Sequence, residues 1–501
     1  MAGPVALAVY AALLVVAAAV VWRRPALALY AFVVGLAAHN AVMAALYAAG
    51  VHGTALTVIS AWKEILLAVA LVRVATDAVR ARRLPFRPAL VDWLALSFGA
   101  LAVVYALVPQ AALDGEAGRK AVALGLRHDL VPVAAFFLGR SLRLGVVELR
   151  RLGWTLLGTA TAVAAVGLVD VYAVPIGWWR TNGVVAYFHD HLGYDYHGTG
   201  EHPAQAGLPE NFVYNVGGDR PFLRRLVSTF LSPLASSYLF VVALLVTAAA
   251  LRRRRALPLV VVVAVGLLFT FSRSALLALA LGLFVLALLR RRALPAVGAV
   301  ATLAIAVGWA HVFPHIGPTG NWTKADLVYQ HQLAEKHGEA SGSALSANES
   351  SLSEHWRSLR DGVRTMLDHP QGYGLGNVGQ TASRTDTTLK AGESNYTELG
   401  VELGVLGSLL WIAWGTALLA GLVRAARRVS PEAMWAAGLA AAFAAVLALA
   451  VQTDVIGDPW IAYCLWMLGG ALLVPSPLRA PASIAARARA SSSEGRLNPA
   501  K

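Results

Sequence analysis

Apolar and polar positions fall in long blocks along this chain. Apolar runs of spanning length lie near 4–22, 26–49, 53–73, 89–108, 129–147, 154–174, 229–250, 257–271, 274–290, 294–312, 396–423, 433–452 and 456–475. A helical run of this kind matches the thickness of a bilayer's hydrocarbon. The pattern therefore predicts an all-α polytopic membrane protein with about thirteen transmembrane helices. Basic clusters mark every second connection: Arg23–Arg24, Arg73 to Arg87, Arg140 to Arg151, Arg252 to Arg255, Arg290 to Arg292 and Arg424 to Arg428. By the positive-inside rule these connections face the cytoplasm, which sets the N-terminus outside and the C-terminus inside.

Two connections on the other side are long, 175–228 and 313–395. Connections of that length carry function or order against each other. The chain thus reads as one transmembrane domain, 1–475, with two extracytoplasmic loops, followed by a disordered Ala-, Arg- and Ser-rich cytoplasmic tail, 476–501. Runs 257–271 and 274–290 are separated only around Ser272-Arg273-Ser274. Basic residues at both outer ends require a tight hairpin there, which lifts Arg273 to the outer face. An arginine at that level is costly without an anion or carboxylate, although snorkelling to headgroup phosphates also satisfies it.

Composition narrows the class. At 57% hydrophobic, 14% charged and mean hydropathy +0.61, the chain is too apolar for a soluble protein of 501 residues. The net charge of +14 would suit nucleic acid, but its clustering between apolar runs is the membrane pattern, so nucleic acid is no expected partner. Cys464 is the lone cysteine, which excludes an intrachain disulfide. The first apolar run starts almost at Met1 and ends at Arg23-Arg24, and it reads as a span.

The stretch Ala-Gly-Glu393-Ser394-Asn-Tyr-Thr-Glu-Leu-Gly400-Val-Glu-Leu-Gly404-Val-Leu-Gly407 joins a polar loop to an apolar helix. It sets Glu393 and Ser394 at a membrane border, where a carboxylate can accept a proton. Gly400, Gly404 and Gly407 then form a small-residue face for close helix packing. A capped helix end with a glycine packing face explains the same residues without chemistry. In the preceding loop, Ser351-Leu-Ser-Glu354 is a capping box. After it Arg357, Arg360 and Arg364 share one helix face, suited to a pyrophosphate or an acidic glycan, or equally to solvent. His369-Pro370-Gln-Gly372-Tyr-Gly374-Leu-Gly376 ends that helix in a tight turn; it lacks the context of a nucleotide loop.

Further charge gathers at the outer level. Arg127, His128 and Asp129 stand where the fifth span begins, and Arg224 and Arg225 precede the seventh. Together with Arg273 they suit an isoprenoid pyrophosphate whose tail stays in the bilayer. Interfacial anchoring accounts for any one of them alone. His189, Asp190, His191, His197 and His202 cluster in the first loop, but no helical metal-ligand spacing supports them, so neither metal nor cofactor is expected. Lys63-Glu64 is an internal ion pair or part of a transport path.

With these residues in view, the chain resembles the O-antigen ligase and O-antigen polymerase superfamily over roughly 89–473. The likeness lies in Gly125-Leu-Arg127-His-Asp129-Leu with Gly139-Arg140, in Arg225-Leu-Val-Ser-Thr-Phe-Leu-Ser-Pro233, in Phe271-Ser-Arg273-Ser-Ala275, in the glycine turn, and in Glu393-Ser394 with Gly404 and Gly407. The resemblance implies a type-C-like glycosyltransferase of the bacterial inner membrane, free of metal and nucleotide sugar. It would move a glycan from undecaprenyl pyrophosphate to a sugar hydroxyl in O-antigen, capsule or exopolysaccharide assembly. Its partners would be a lipid-linked oligosaccharide donor, a glycan or glycolipid acceptor and the bilayer. Ligases of the family usually carry His where this chain has Glu393, which leans toward a polymerase. For such a reaction the charged residues are expected to divide the work: Glu393 and Arg273 catalytic, and Arg127, Arg224, Arg225, Arg357, Arg360, Arg364 and Ser394 substrate-binding. A transporter or flippase for lipid-linked glycans is the alternative; it would place charge along a mid-membrane path and show repeated halves.

Overall fold

A computed structural model of the chain describes residues 2–193, 208, 211–214, 222–251, 254–319, 324, 325, 328, 332, 350–390 and 394–473. The predicted tail and Glu393 lie outside the described residues. Every apolar run forms a helix. In chain order these are α1 (Ala2–Arg23), α2 (Leu27–Ala48), α3 (Gly53–Ser60), α4 (Trp62–Ala81), α5 (Leu90–Leu107), α6 (Arg119–Ser141) and α7 (Val146–Ala173). After short α8 (Ile176–Thr181) and α9 (Val184–Ala186) come α10 (Pro233–Ala250), α11 (Leu257–Phe269), α12 (Arg273–Arg290) and α13 (Ala293–Ile316). The rest are α14 (Ser350–Asp368), α15 (Gly379–Ser383), α16 (Asn395–Ala426), α17 (Ala433–Leu449) and α18 (Ile461–Leu472). Among the described residues, nine helices are long and apolar enough to cross a membrane unaided, ten with the pair α3–α4, which bends by 41° at Ala61. The remaining runs, α11, α17 and α18, are shorter helices. The only sheet described is the pair β1 (Val213–Tyr214) and β2 (Leu223–Arg224), antiparallel in the first long loop.

The helices pass back and forth between two faces of the bundle. One carries the basic connections. The other carries both long loops and is called the loop face below. On the basic face Arg140 donates to both oxygens of Asp92 at 2.7 and 3.0 Å and to the Arg87 carbonyl at 3.0 Å. Both side chains are buried, so the pair ties α5 to α6 where a lone charge would be costly.

The core lies around α10, α17 and α18. Phe98, Phe136, Trp411, Trp414, Phe443 and Trp466 pack ring on ring at centroid distances of 4.2–6.0 Å. Helices α6 and α18 approach backbone to backbone: a Cβ on Gly139 would sit 2.0 Å from the Met467 carbonyl oxygen. Small residues allow such contact in a membrane, where packing rather than water expulsion holds helices together.

Two boundaries differ from the sequence expectation. Helix α6 starts at Arg119, ten residues before the apolar run at 129. Arg127, His128 and Asp129 therefore lie two turns inside the helix, not at its entrance. Arg127 meets Glu64 and His128 meets Asp454 on other elements, while Asp129 is held through its neighbour His128. Helix α16 is also not one continuous helix: Gly404 adopts φ 72°, ψ 176° and breaks it. The spacing of Gly400, Gly404 and Gly407 suggests a packing face, yet the middle glycine serves the break.

Candidate active site on the loop face

The glycine turn fills the break in α16. Gly372, Gly374 and Gly376 all have positive φ, at 77°, 90° and 83°. Side chains disfavour these conformations, and they let the backbone come in flat. Tyr373 N donates to the Val401 carbonyl at 2.7 Å and Gly374 N to the Glu402 carbonyl at 3.0 Å, while Val405 N donates to the Pro370 carbonyl at 2.9 Å. The backbone groups that the break would orphan are thus paired. The Glu402 carboxylate accepts from Gly376 N at 2.7 Å, and Glu402 is buried. Helix α14 packs beside this junction, with Met366 against Gly400 and Gly362 against Thr397.

One turn away, a polar cluster joins three elements. The His128 ring lies between two carboxylates, with Nδ1 3.0 Å from Asp129 Oδ1 and Nε2 3.1 Å from Asp454 Oδ2. Asp454 Oδ1 accepts from Asn395 Nδ2 at 2.7 Å and from Gly457 N at 2.9 Å. Burial alone would raise the Asp454 pKa, but His128 and these hydrogen bonds win and hold it below the usual carboxylate value. Asn395 Oδ1 accepts from Val455 N and Ile456 N at 2.9 and 3.1 Å. Asp129 Oδ2 is buried and has no hydrogen-bond donor among the described residues. An imidazole between two carboxylates can hold or pass a proton, and it also clamps α6 to the connection after α17.

Ser394 caps this arrangement. Its Oγ donates to the Ala450 carbonyl at 3.2 Å, and Asn395 N donates to the same carbonyl at 3.1 Å. The start of α16 is therefore pinned to the end of α17. Helix α17 in turn packs on α12, where a Cβ on Gly282 would lie 3.1 Å from the Ala441 carbonyl oxygen. Nine residues from that contact toward the loop face (282 to 273, and 441 to 450) reach Arg273 on one helix and Ala450 on the other. At about 1.5 Å rise per residue these two positions stand at the same height, one helix apart.

The Ser-Arg hairpin forms as the charge pattern requires. Helix α11 stops at Phe269 and α12 begins at Arg273, and Ser272 Oγ accepts from Ala275 N at 3.4 Å. The segment before α10 lies against this hairpin. Leu226 N donates to the Phe269 carbonyl at 2.9 Å, and Arg225 Nε donates to the Thr270 carbonyl at 2.9 Å. Arg225 and Arg273 are thereby brought to one turn, both half-buried.

The other sequence candidates fall elsewhere. Arg224 is buried, 2% exposed, and pairs with Asp170 at 3.2 Å over the Phe212 ring. Its neighbour Trp179 Nε1 donates to the same carboxylate at 2.7 Å. That guanidinium fastens β2 to α7. Arg127 pairs with Glu64 at 3.3 Å, and Lys63 lies 3.6 Å from Glu64 and 3.3 Å from His39 Nε2. Lys63-Glu64 is thus an internal ion network at the bend of α3–α4. Arg357, Arg360 and Arg364 are exposed on α14, and Arg364 lies 3.6 Å from Asp368. In the first loop His189 Nδ1 lies 2.7 Å from Asp190, which also accepts from the Tyr47 hydroxyl at 3.0 Å. Those two contacts depress the Asp190 carboxyl. His197 and His202 lie outside the described residues. Sequence reading missed Glu402, Asn395 and Asp454. Glu402 carried a signal, an ionisable residue within an apolar helix.

Fold and site define a polytopic all-α membrane protein with a polar, cross-braced centre on one face. Residues 258–412, about a third of the chain, match the family model described as O-Antigen ligase, and this match supports the superfamily that the motifs resemble. The matched segment spans the Ser-Arg hairpin, α14, the glycine turn and the first half of α16. No curated protein matches the chain significantly.

Proposed function

We propose that the protein is a glycan polymerase or ligase of the outer leaflet of the bacterial inner membrane. It transfers a glycan from undecaprenyl pyrophosphate to a sugar hydroxyl of an acceptor, in O-antigen, capsule or exopolysaccharide assembly. The observation that carries this reading is the family match over the segment holding the Ser-Arg hairpin and the start of α16. In the proposed step the acceptor oxygen bonds to the anomeric carbon as the bond from that carbon to the pyrophosphate oxygen breaks. Glu393 takes the hydroxyl proton. Arg273 and Arg225 stabilise the charge that builds on the departing pyrophosphate, a contribution of about 10²–10³ in rate for a preorganised donor. Exposed Arg357, Arg360 and Arg364 are secondary contacts for the acceptor, and Ser394 positions Glu393 through its anchor on Ala450. Glu393 in place of His favours repeated addition over a single transfer.

The test is purified protein with a lipid-linked repeat unit and chelator present. A ladder of longer glycans supports a polymerase, and a single transfer supports a ligase. No transfer without an added divalent ion contradicts the metal-free step. Vectorial movement of intact donor without any new glycosidic bond would instead support the flippase reading.

A further inference from the structure

The basic face holds a cavity away from the loop face. This cavity, of about 960 Å³, opens between the α1–α2 connection, the end of α4 and the α6–α7 connection. That volume is at the upper end for a small-molecule pocket. Arg24, Arg83, Arg143 and Arg151 line it. Of its two acids, Asp77 pairs with Arg73, and Glu148 accepts from Gly145 N at 2.9 Å, which leaves four arginines against one carboxylate unpaired among the described residues. The Tyr30 hydroxyl donates to the Glu148 carbonyl at 3.2 Å, and Ser141 to the Phe137 carbonyl at 2.9 Å. None of the four lining arginines makes a side-chain hydrogen bond or ion pair with a described residue. The walls between them are aliphatic, with Leu27, Val74, Leu142 and Leu144.

We infer that this cavity binds the headgroup of an anionic phospholipid. A ring of guanidinium groups above an aliphatic wall matches a phosphate joined to acyl chains, and basic pockets between spanning helices are a recurring site for such headgroups. A soluble phosphate would use the arginines but not the wall. By occupying the cavity the lipid ties α4 to the α6–α7 connection, which is the basic end of the helix that carries His128.

The experiment equilibrates full-length protein in mixed micelles of phosphatidylglycerol and phosphatidylcholine, and reads retained lipid by native mass spectrometry. The expected result is preferential retention of phosphatidylglycerol, undiminished by millimolar inorganic phosphate. Arg143→Ala with Arg151→Ala lowers that retention about thirtyfold, about fivefold per charge, and Arg143→Lys with Arg151→Lys restores most of it. Equal retention of the two lipids, displacement by inorganic phosphate, or full retention by the double Ala variant overturns the inference. If the Ala variant does not fold, a salt titration of the native protein decides: retention falls as ionic strength rises, and a salt-independent value overturns the site.

Discussion

Replacing Gly404 by Ala should collapse the junction between the glycine turn and α16. The residue has φ 72° and ψ 176°, a conformation open almost only to glycine. A side chain there stores about 1–3 kcal/mol of backbone strain. The new Cβ would also lie 2.5 Å from the Pro370 carbonyl oxygen and 2.8 Å from the Gln371 carbonyl carbon. Backbone cannot yield there as a flexible side chain would, so the turn must withdraw. Withdrawal breaks the bonds from Val405 N, Tyr373 N and Gly374 N, at about 1 kcal/mol each. The sum, about 4–6 kcal/mol, is a large part of an ordinary protein's stability of about 5–15 kcal/mol. Gly372→Ala should behave alike, since its Cβ would meet Gly404 N at 2.4 Å. Gly158→Ala is the control: nothing lies within 4 Å of its Cβ, and Ala in a helix gains about 0.5–1 kcal/mol over Gly. Thermal unfolding in detergent, followed by loss of the monodisperse peak, reads all three. Melting of Gly404→Ala at or above the native midpoint would refute the proposed junction.

Other consequences follow from particular contacts. Glu402→Gln keeps an acceptor for Gly376 N and should unfold near the native midpoint, whereas Glu402→Ala should lose about 1–3 kcal/mol in the same melt. Asp92→Ala strands the buried Arg140 charge and should cost about 3–5 kcal/mol; Asp92→Ala with Arg140→Met should recover much of it, and no recovery would argue against the ion pair as the cause. Glu116 accepts from Lys390 Nζ at 2.8 Å and from Thr388 Oγ1 at 2.5 Å, which pull its pKa below the ordinary 4.5. That clasp is fully present above pH 4.5 and is lost as pH falls through the lower folded value. Amide exchange over 377–390, corrected for intrinsic rates, should rise in that window in the native protein. In Glu116→Gln, which lacks the titrating group, it should show no such step.

Most of the spanning helices were legible in the sequence because each is written by a local property, a run of apolar residues. The Ser-Arg hairpin was legible for the same reason: basic clusters at 252–255 and 290–292 leave the chain one way to turn. Interior polar contacts were not, since they depend on which helices meet. Arg127 and His128 read as a membrane border until Glu64 and Asp454, distant in the chain, are seen to meet them. Arg224 and Arg225 are adjacent and alike in sequence. Only the structure sends one inward to Asp170 and the other to the Ser-Arg hairpin. Gly404 shows the limit most sharply, because a packing glycine and a helix-breaking glycine have the same spacing. The backbone that fills its break, Gly372 to Gly376, comes from the same long loop that leads into α16, about thirty residues earlier in the chain.

The central claim is that Arg273 holds a lipid pyrophosphate while Glu393 takes a proton from the acceptor. The most direct measurement compares native protein, Arg273→Ala and Glu393→Ala in proteoliposomes with a polyprenyl-pyrophosphate-linked repeat unit, scoring glycan length by gel. The account predicts a ladder from the native protein and a rate lower by about 10²–10³ for Arg273→Ala and by about 10²–10⁴ for Glu393→Ala, with insertion and melting unchanged. Ladders of native length at native rate from either variant would contradict it.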